Sequence, residues 1–521
     1  MNTQTRTARW RQLAALLGIA LILAAPSIWF LCNIPPLWRD VDAYIQVTGR
    51  PGAATVLLHG PLYGFIARVP LYFGHFIESS APNARSFVDF FLAPSLTDSG
   101  VVTLLLLQHA ALIATQFGFV AAVASGASIR LFLAVCLASN PLLYTFAHCV
   151  GSETLSAVGI VLLATLGWRI LRNEKATSRD WIALAVVLLL LMLPRQINAI
   201  LVVLLPLALL PLLPRNRARG SVASAGVRRF VAAIVVSLAA VAISHGSARL
   251  IALAADVDYR SKIGFTFMWR LQFLQKLSPT ERERVVQDAA AKARSPETKA
   301  TIGALAELFG SPEPPNFVEF VRRQQDSLFP PRSADVSERT DAALNGMPLA
   351  FALGSPAALV RAAAADFVTA REMRISTVTN FLFWTTVYYV GREEAPADLA
   401  KLVTFRAFTA KEITAMPLRF GYLRWWDAIT YNGWLAIWLL AFAALLITAR
   451  IRRVSVVTTC SYATALLLTA LLLMLVNCFF TELLPRYTVP MFELTFLSLV
   501  LLVGRIAEIA VAKPEAPLAS S

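Results

Sequence analysis

A chain of 521 residues that is 57% hydrophobic and only 15% charged, with a mean hydropathy of +0.62, cannot hide its apolar surface in one soluble core. Its formal net charge of +15, from 47 lysines and arginines against 32 aspartates and glutamates, does not point to nucleic acid. The basic residues gather in short connections between apolar runs, where they set orientation in a bilayer.

A hydrocarbon core about 30 Å thick needs about 20 apolar residues per helix. Apolar runs predict an all-α polytopic membrane protein with about ten spans, within a range of eight to twelve, at 12–32, 101–125, 131–149, 154–170, 181–194, 196–213, 230–252, 429–449, 454–476 and 488–504. The first run follows Arg6, Arg9 and Arg11 and lacks a small-x-small cleavage site, so it is expected to stay as an anchor with its N-terminus in the cytoplasm. The basic connections Arg169/Arg172/Lys175/Arg179, Arg215/Arg217/Arg219/Arg228/Arg229 and Arg450/Arg452/Arg453 then all fall on one side, as the positive-inside rule requires. Cys32, Cys136, Cys149, Cys460 and Cys478 lie in or beside apolar runs without metal-ligand spacing and read as small hydrophobic fillers.

This divides the chain into a cytoplasmic N-terminus with the first span (1–32), a first outer loop (33–100), spans two to seven (101–252), a large helical non-cytoplasmic domain (253–428), spans eight to ten (429–505) and a cytoplasmic tail (506–521). Within the outer domain, Ser278, Pro279 and Glu281 form a capping box with proline at the first helical position. Further helices are expected from Ser295–Pro296, over "FVEFVRRQQDSLF" and from Ser355–Pro356, separated by "SPEPPN" and "FPPRS". Aromatic clusters in "FLFWTTVYYVG" and "GYLRWWDAITYNGW" suit the headgroup level before the eighth span. No repeat suggests a solenoid or a two-fold transporter.

Ionisable residues recur at the outer ends of the spans. Asp40 and Asp42, beside Arg39, follow span one in "WRDVDAYIQV"; "SNPLLYTFAHCVGSETLSA" puts His148 and Glu153 at the turn into span four; Arg195 in "LPRQIN" and Glu482, Arg486 and Tyr487 in "FFTELLPRYTVP" occupy two further outer turns. Each alone has a plain alternative: Asp42 capping a helix from Ala43, Glu153 favouring a helix N-terminus, Arg195 snorkelling, Gln108 and His109 bonding to a neighbouring helix. Together they suggest one polar cavity above lipid level. A carboxylate there can take a proton from an attacking hydroxyl, while arginine and tyrosine hold a leaving phosphate.

"RDVDAY", then "HGPLYG" (His59 to Gly64), then "NPLLYTFAHCVGSETLSAV" and finally "LPRYTVPMFELTFLSLVLL" stand in an order that resembles the multi-spanning GT-C glycosyltransferases, especially the protein O-mannosyltransferase and lipid A aminoarabinose transferase branch. The resemblance is densest over the first 200 residues and the final span. It implies a GT-C-like fold that transfers a sugar, with inversion, from a polyprenyl-phosphate donor to an envelope glycan, lipid or protein. The reaction would occur on the outer face of the inner membrane.

It further implies Asp40 or Asp42 as base, Glu153 as second acid, and Arg486 and Tyr487 near the donor phosphate. Arg39, His59, Tyr63 and Arg195 are further candidates for substrate or phosphate contact, and Asp40 with Glu153 for a divalent metal. Where the family often shows an aspartate-glutamate pair, this chain has Asp40-Val41-Asp42, so either aspartate fits. Two other readings fit the same sequence: a transporter or flippase of lipid-linked sugars, and a noncatalytic GT-C-like assembly partner.

Overall fold

The computed structural model describes residues 3–38, 41–49, 61–79, 85–173, 176–213, 221–254, 262–310, 334–375, 377, 397–405, 426, 428–481 and 483–512. Among them, seven helices are long and apolar enough to cross a membrane, or up to nine if two bent pairs are each one span. The chain is an all-α polytopic membrane protein. The seven are Gln12–Asn33, Asp98–Val123, Glu153–Arg172, Gly226–Ile251, Tyr431–Arg452, Val457–Phe480 and Pro485–Val511.

The expected third span is instead broken. Helix Ala127–Ala138 turns by 65° into Pro141–Ala147, because Pro141 cannot continue the first helix and Asn140 caps the second, its Oδ1 accepting from Leu142 N at 3.0 Å. The fifth and sixth expected spans are also altered. Helix Ser178–Met192 has 15 residues, about 22 Å at the usual rise and short of the hydrocarbon core. It runs into a 3-10 helix at Gln196–Val203 and a short helix at Leu204–Leu209.

The last two spans pack side by side, and Tyr431–Arg452 lies along the last one. Tyr431 bonds Thr495 Oγ1 at 2.7 Å, while Trp438 Nε1 donates to Ser498 Oγ at 2.7 Å. At the basic end of the bundle, Arg229 donates to Asn173 O and Arg452 to Ala510 O. Glu153 opens its helix at the other end, with Arg169 and Arg172 in the last turn.

The first outer loop is partly sunk into the bundle. Helix Pro61–Glu78 runs antiparallel along the start of Asp98–Val123, from Gly74 against Gly100 to Tyr63 bonded to Gln108. A Cβ on Gly74 would lie 2.0 Å from Gly100 N, so only glycine allows this approach. Gly74→Ala is expected to force the helices apart and cost about 1–3 kcal/mol, measurable by thermal unfolding in detergent. Buried Arg68, on the same helix, donates to Val47 O, Gly49 O and Phe91 O, which pins helix Val41–Thr48 in place.

The 253–428 segment contains helices Lys262–Arg270, Pro279–Lys292, Pro296–Gly310, Ala334–Gly354 and Pro356–Glu372. They enclose a separate core including Phe267, Leu274, Val286, Ile302, Met347 and Phe351. Ser278 Oγ accepts from Glu281 N at 3.3 Å, and Ser295 Oγ from Thr298 N at 3.1 Å, so the helix starts read from the sequence are present; the helix expected over 317–329 lies outside the described residues. Leu344–Gly354 and Pro356–Glu372 form the second bent apolar pair, at 101°. Pro356–Glu372 packs on two of the spans, so part of the expected non-cytoplasmic domain lies against the bundle.

Residues 397–405 reach back to the first outer loop. Tyr44 donates to Asp398 at 2.6 Å, and Asp98 accepts from Val403 N and Thr404 N at 3.0 and 2.6 Å. Burial, followed by the Asp398 carboxylate, pushes the Tyr44 hydroxyl up to about 12, so it remains a hydrogen-bond donor through the physiological range.

Candidate functional site

Three stretches far apart in sequence meet at the Glu153 end of the bundle. Glu153, 2% exposed, starts its helix after the buried turn 149–152. Arg195 Nη1 lies 3.4 Å from Glu153 Oε1. It precedes the 3-10 helix, which Asn198 fastens by donating to Ser156 Oγ and Leu191 O, both at 2.9 Å. Tyr487 sits in the 3-10 turn Pro485–Thr488 that leads into the last span.

The Tyr487 ring links the two arginines. The Arg195 guanidinium carbon is 5.9 Å from its centroid and that of Arg486 is 5.4 Å away, both within cation–π range. Two guanidinium groups, a phenol and a carboxylate thus converge at this end of the bundle. Planar guanidinium donors suit bidentate binding of phosphate oxygens.

A dense set of buried hydrogen bonds holds the turn before Glu153. Tyr63 Oη accepts from Gly151 N at 2.8 Å and donates to Gln108 Oε1 at 3.1 Å. Gln108 Nε2 donates to Ala147 O and Cys149 O at 2.9 and 3.1 Å. Two short parallel strands, β1 (Leu37–Trp38) and β2 (Cys149–Val150), pair Leu37 with Cys149 and Trp38 with Val150. The chain leading to the first outer acids is therefore tied to the turn that carries Glu153.

The structure brings together Glu153, Arg195, Arg486 and Tyr487, and ties Tyr63 to the same turn. Arg39, Asp40, His59 and Glu482 lie outside the described residues, as does the side chain of Asp42. Helix Val41–Thr48 begins at Val41, so Asp42 falls inside the first turn; the capping role for a helix from Ala43 is corrected. Among the described residues no three histidine, cysteine or acidic side chains gather closely enough to hold a metal ion, and of the suggested metal pair only Glu153 is described.

Two further buried features lie in the bundle: His148, read from sequence as part of the outer turn, contacts His109, and Glu493 was not singled out from sequence. His109 Nε2 lies 3.1 Å from His148 Nδ1, while His109 Nδ1 lies 2.9 Å from Ser27 Oγ. Glu493 is fully enclosed in the last span, and neither carboxyl oxygen has a hydrogen-bond partner among the described residues. The acid in "PMFELTF" was the available signal: an ionisable residue within an apolar run is costly and commonly functional.

The fold and this polar cluster define a multi-span helical membrane protein with a candidate anion-binding site at one end. Comparison with protein-family models, curated proteins and solved structures finds no match.

Proposed function

We propose that the protein is an integral-membrane glycosyltransferase of GT-C type that moves a sugar from a polyprenyl-phosphate donor to a cell-envelope acceptor on the non-cytoplasmic face of the inner membrane. The observation that carries this reading is the meeting of Glu153, Arg195, Tyr487 and Arg486 at the end of the bundle opposite its basic connections. A phosphate held there leaves its lipid tail in the bilayer. In the proposed step the acceptor oxygen bonds to the anomeric carbon as the carbon–phosphate oxygen bond breaks, and Asp40 or Asp42 takes the acceptor proton. Arg195 and Arg486 hold the departing phosphate, and Glu153 orients Arg195. A single displacement inverts the anomeric centre.

The test is transfer from labelled polyprenyl-phosphate sugar in purified membranes. Arg486→Gln and Glu153→Gln are expected to lower kcat by about a hundredfold, the scale of losing one preorganised charged group. Undiminished transfer after Asp40→Asn and Asp42→Asn together would remove the assigned base.

The buried Glu493 carboxyl favours a second reading, a transporter of lipid-linked sugars, because ionisable residues inside spans commonly mark transport pathways. Vesicles showing donor crossing without glycosylated product, with crossing abolished by Glu493→Gln, would replace the enzyme reading.

A further inference from the structure

We infer that His109 and His148 are positioning residues, a buried pair that fixes the register between β1 and β2 and so the course of the chain leaving Trp38 relative to the Glu153 turn. The inference rests on the glycosyltransferase reading for its catalytic consequence, but not for its structural content.

Two strands of two residues each do not hold a register alone, because even a complete two-stranded hairpin is marginal in water. Side chains must supply the missing constraint. His148 holds the chain at and before β1: its carbonyl accepts from Leu37 N at 3.2 Å, and its Nε2 lies 2.8 Å from Ile34 O, between the end of the first helix and the strand.

A carbonyl can only accept, so His148 Nε2 carries the hydrogen. In the neutral ring Nδ1 is then bare and accepts from His109 Nε2–H. His109 Nδ1 is bare in turn and accepts from the Ser27 hydroxyl. One direction of donation satisfies all three contacts, with both rings as the Nε2–H tautomer.

The neighbouring residue serves the other strand. Gln108 holds Ala147 O and Cys149 O on either side of His148, while His109 orients the ring that holds β1. Consecutive residues of one membrane helix thus fix both strands. Both imidazoles are buried, and the Phe30 ring lies 5.6 Å from His148 and 6.4 Å from His109. A slip of one residue would exchange the faces of Leu37 and Trp38 and shift the chain toward Val41 against the Glu153 turn.

Leu37 and Cys149 are register partners, so Leu37→Cys creates a reporter with the native Cys149 once Cys32, Cys136, Cys460 and Cys478 are replaced by alanine. Paired strand positions fall within disulfide reach. With His109 present, copper-phenanthroline oxidation should join the two cysteines rapidly; adding His109→Phe, which keeps bulk but loses both bonds, should slow this about tenfold. In the transfer assay, reduced His109→Phe protein should lose about ten- to a hundredfold in kcat, the scale of a small misplacement. Donor KM should change less than about twofold, because the phosphate contacts are untouched.

Oxidation of the same variant should restore kcat, since a covalent bond then holds the register. Equal cross-linking with and without His109, or a cross-linked variant that stays inactive while its oxidised His109 parent transfers normally, would overturn the inference. If His109→Phe fails to reach the membrane, His109→Gln, which keeps one bond, gives the same comparison with a smaller loss. Cross-linking is read without substrate, so an absence of transfer in wild type would refute the proposed function and leave the register result standing.

Discussion

Arg195→Met is expected to destabilise the bundle by about 3–5 kcal/mol, the cost of removing one partner of a buried ion pair. Glu153 is 2% exposed and the Arg195 side chain 14%, so water replaces little of the lost guanidinium. The double variant Glu153→Gln/Arg195→Met should recover much of the loss, because no charge is left facing an uncompensated site. Thermal unfolding of the four combinations in detergent gives the coupling. If the single and double variants unfold together, the pair is not coupled in the folded protein. Both should be inactive in transfer, since each lacks a group of the proposed site; stability and activity then separate, with the double variant folded but silent.

Asp366→Ala is expected to loosen the outer helical unit by a similar amount, about 3–5 kcal/mol. Asp366 bonds Arg270, whose side chain is only 3% exposed and which brings the end of helix Lys262–Arg270 against Pro356–Glu372. Lys276, 3.7 Å from Asp366 but 77% exposed, adds little because solvent screens it. Arg270 Nε and Nη2 have no hydrogen-bond partner among the described residues, so the carboxylate is the principal compensation for the buried charge. Limited proteolysis should cut Asp366→Ala within 262–372 sooner than wild type while the fragment from Tyr431 onward persists. Arg270→Met/Asp366→Leu should resist cleavage better than Asp366→Ala. Equal cleavage of wild type and Asp366→Ala would show that the pair does not hold the unit together.

The helical membrane class was legible because it depends on composition summed over many residues: the seven long apolar helices all coincide with runs visible in the sequence. Breaks were harder to read. Pro141 announces the 65° bend, and the shortness of Ser178–Met192 follows the apolar run that Asp180 and Pro194-Arg195 bound in the sequence; what was not read was that these breaks leave no unbroken full span. Of the site, Glu153, Arg195, Arg486 and Tyr487 were legible as unusual charges and rings at span ends. Their mutual contacts were not, because residues 153, 195 and 487 meet only after several spans have packed. Gln108 and His109 were expected to bond to a neighbouring helix, which they do; that they serve both strands beside Glu153 depends on where the Pro141–Ala147 helix ends. The depth of helix Pro61–Glu78 was also hidden, since it depends on Gly74 meeting Gly100 across a gap of 26 residues.

That last contact ties an outward-facing apolar surface to the candidate site. Ile66, Val69, Phe73, Phe76 and Ile77 are exposed on the helix, and its inner end closes on Gly151 through Tyr63. One helix therefore carries an outward apolar face at one side and a bond to the turn before Glu153 at its end. Under the proposed function, bilayers of different thickness are expected to change transfer through this helix, measurable as kcat in vesicles of defined acyl-chain length.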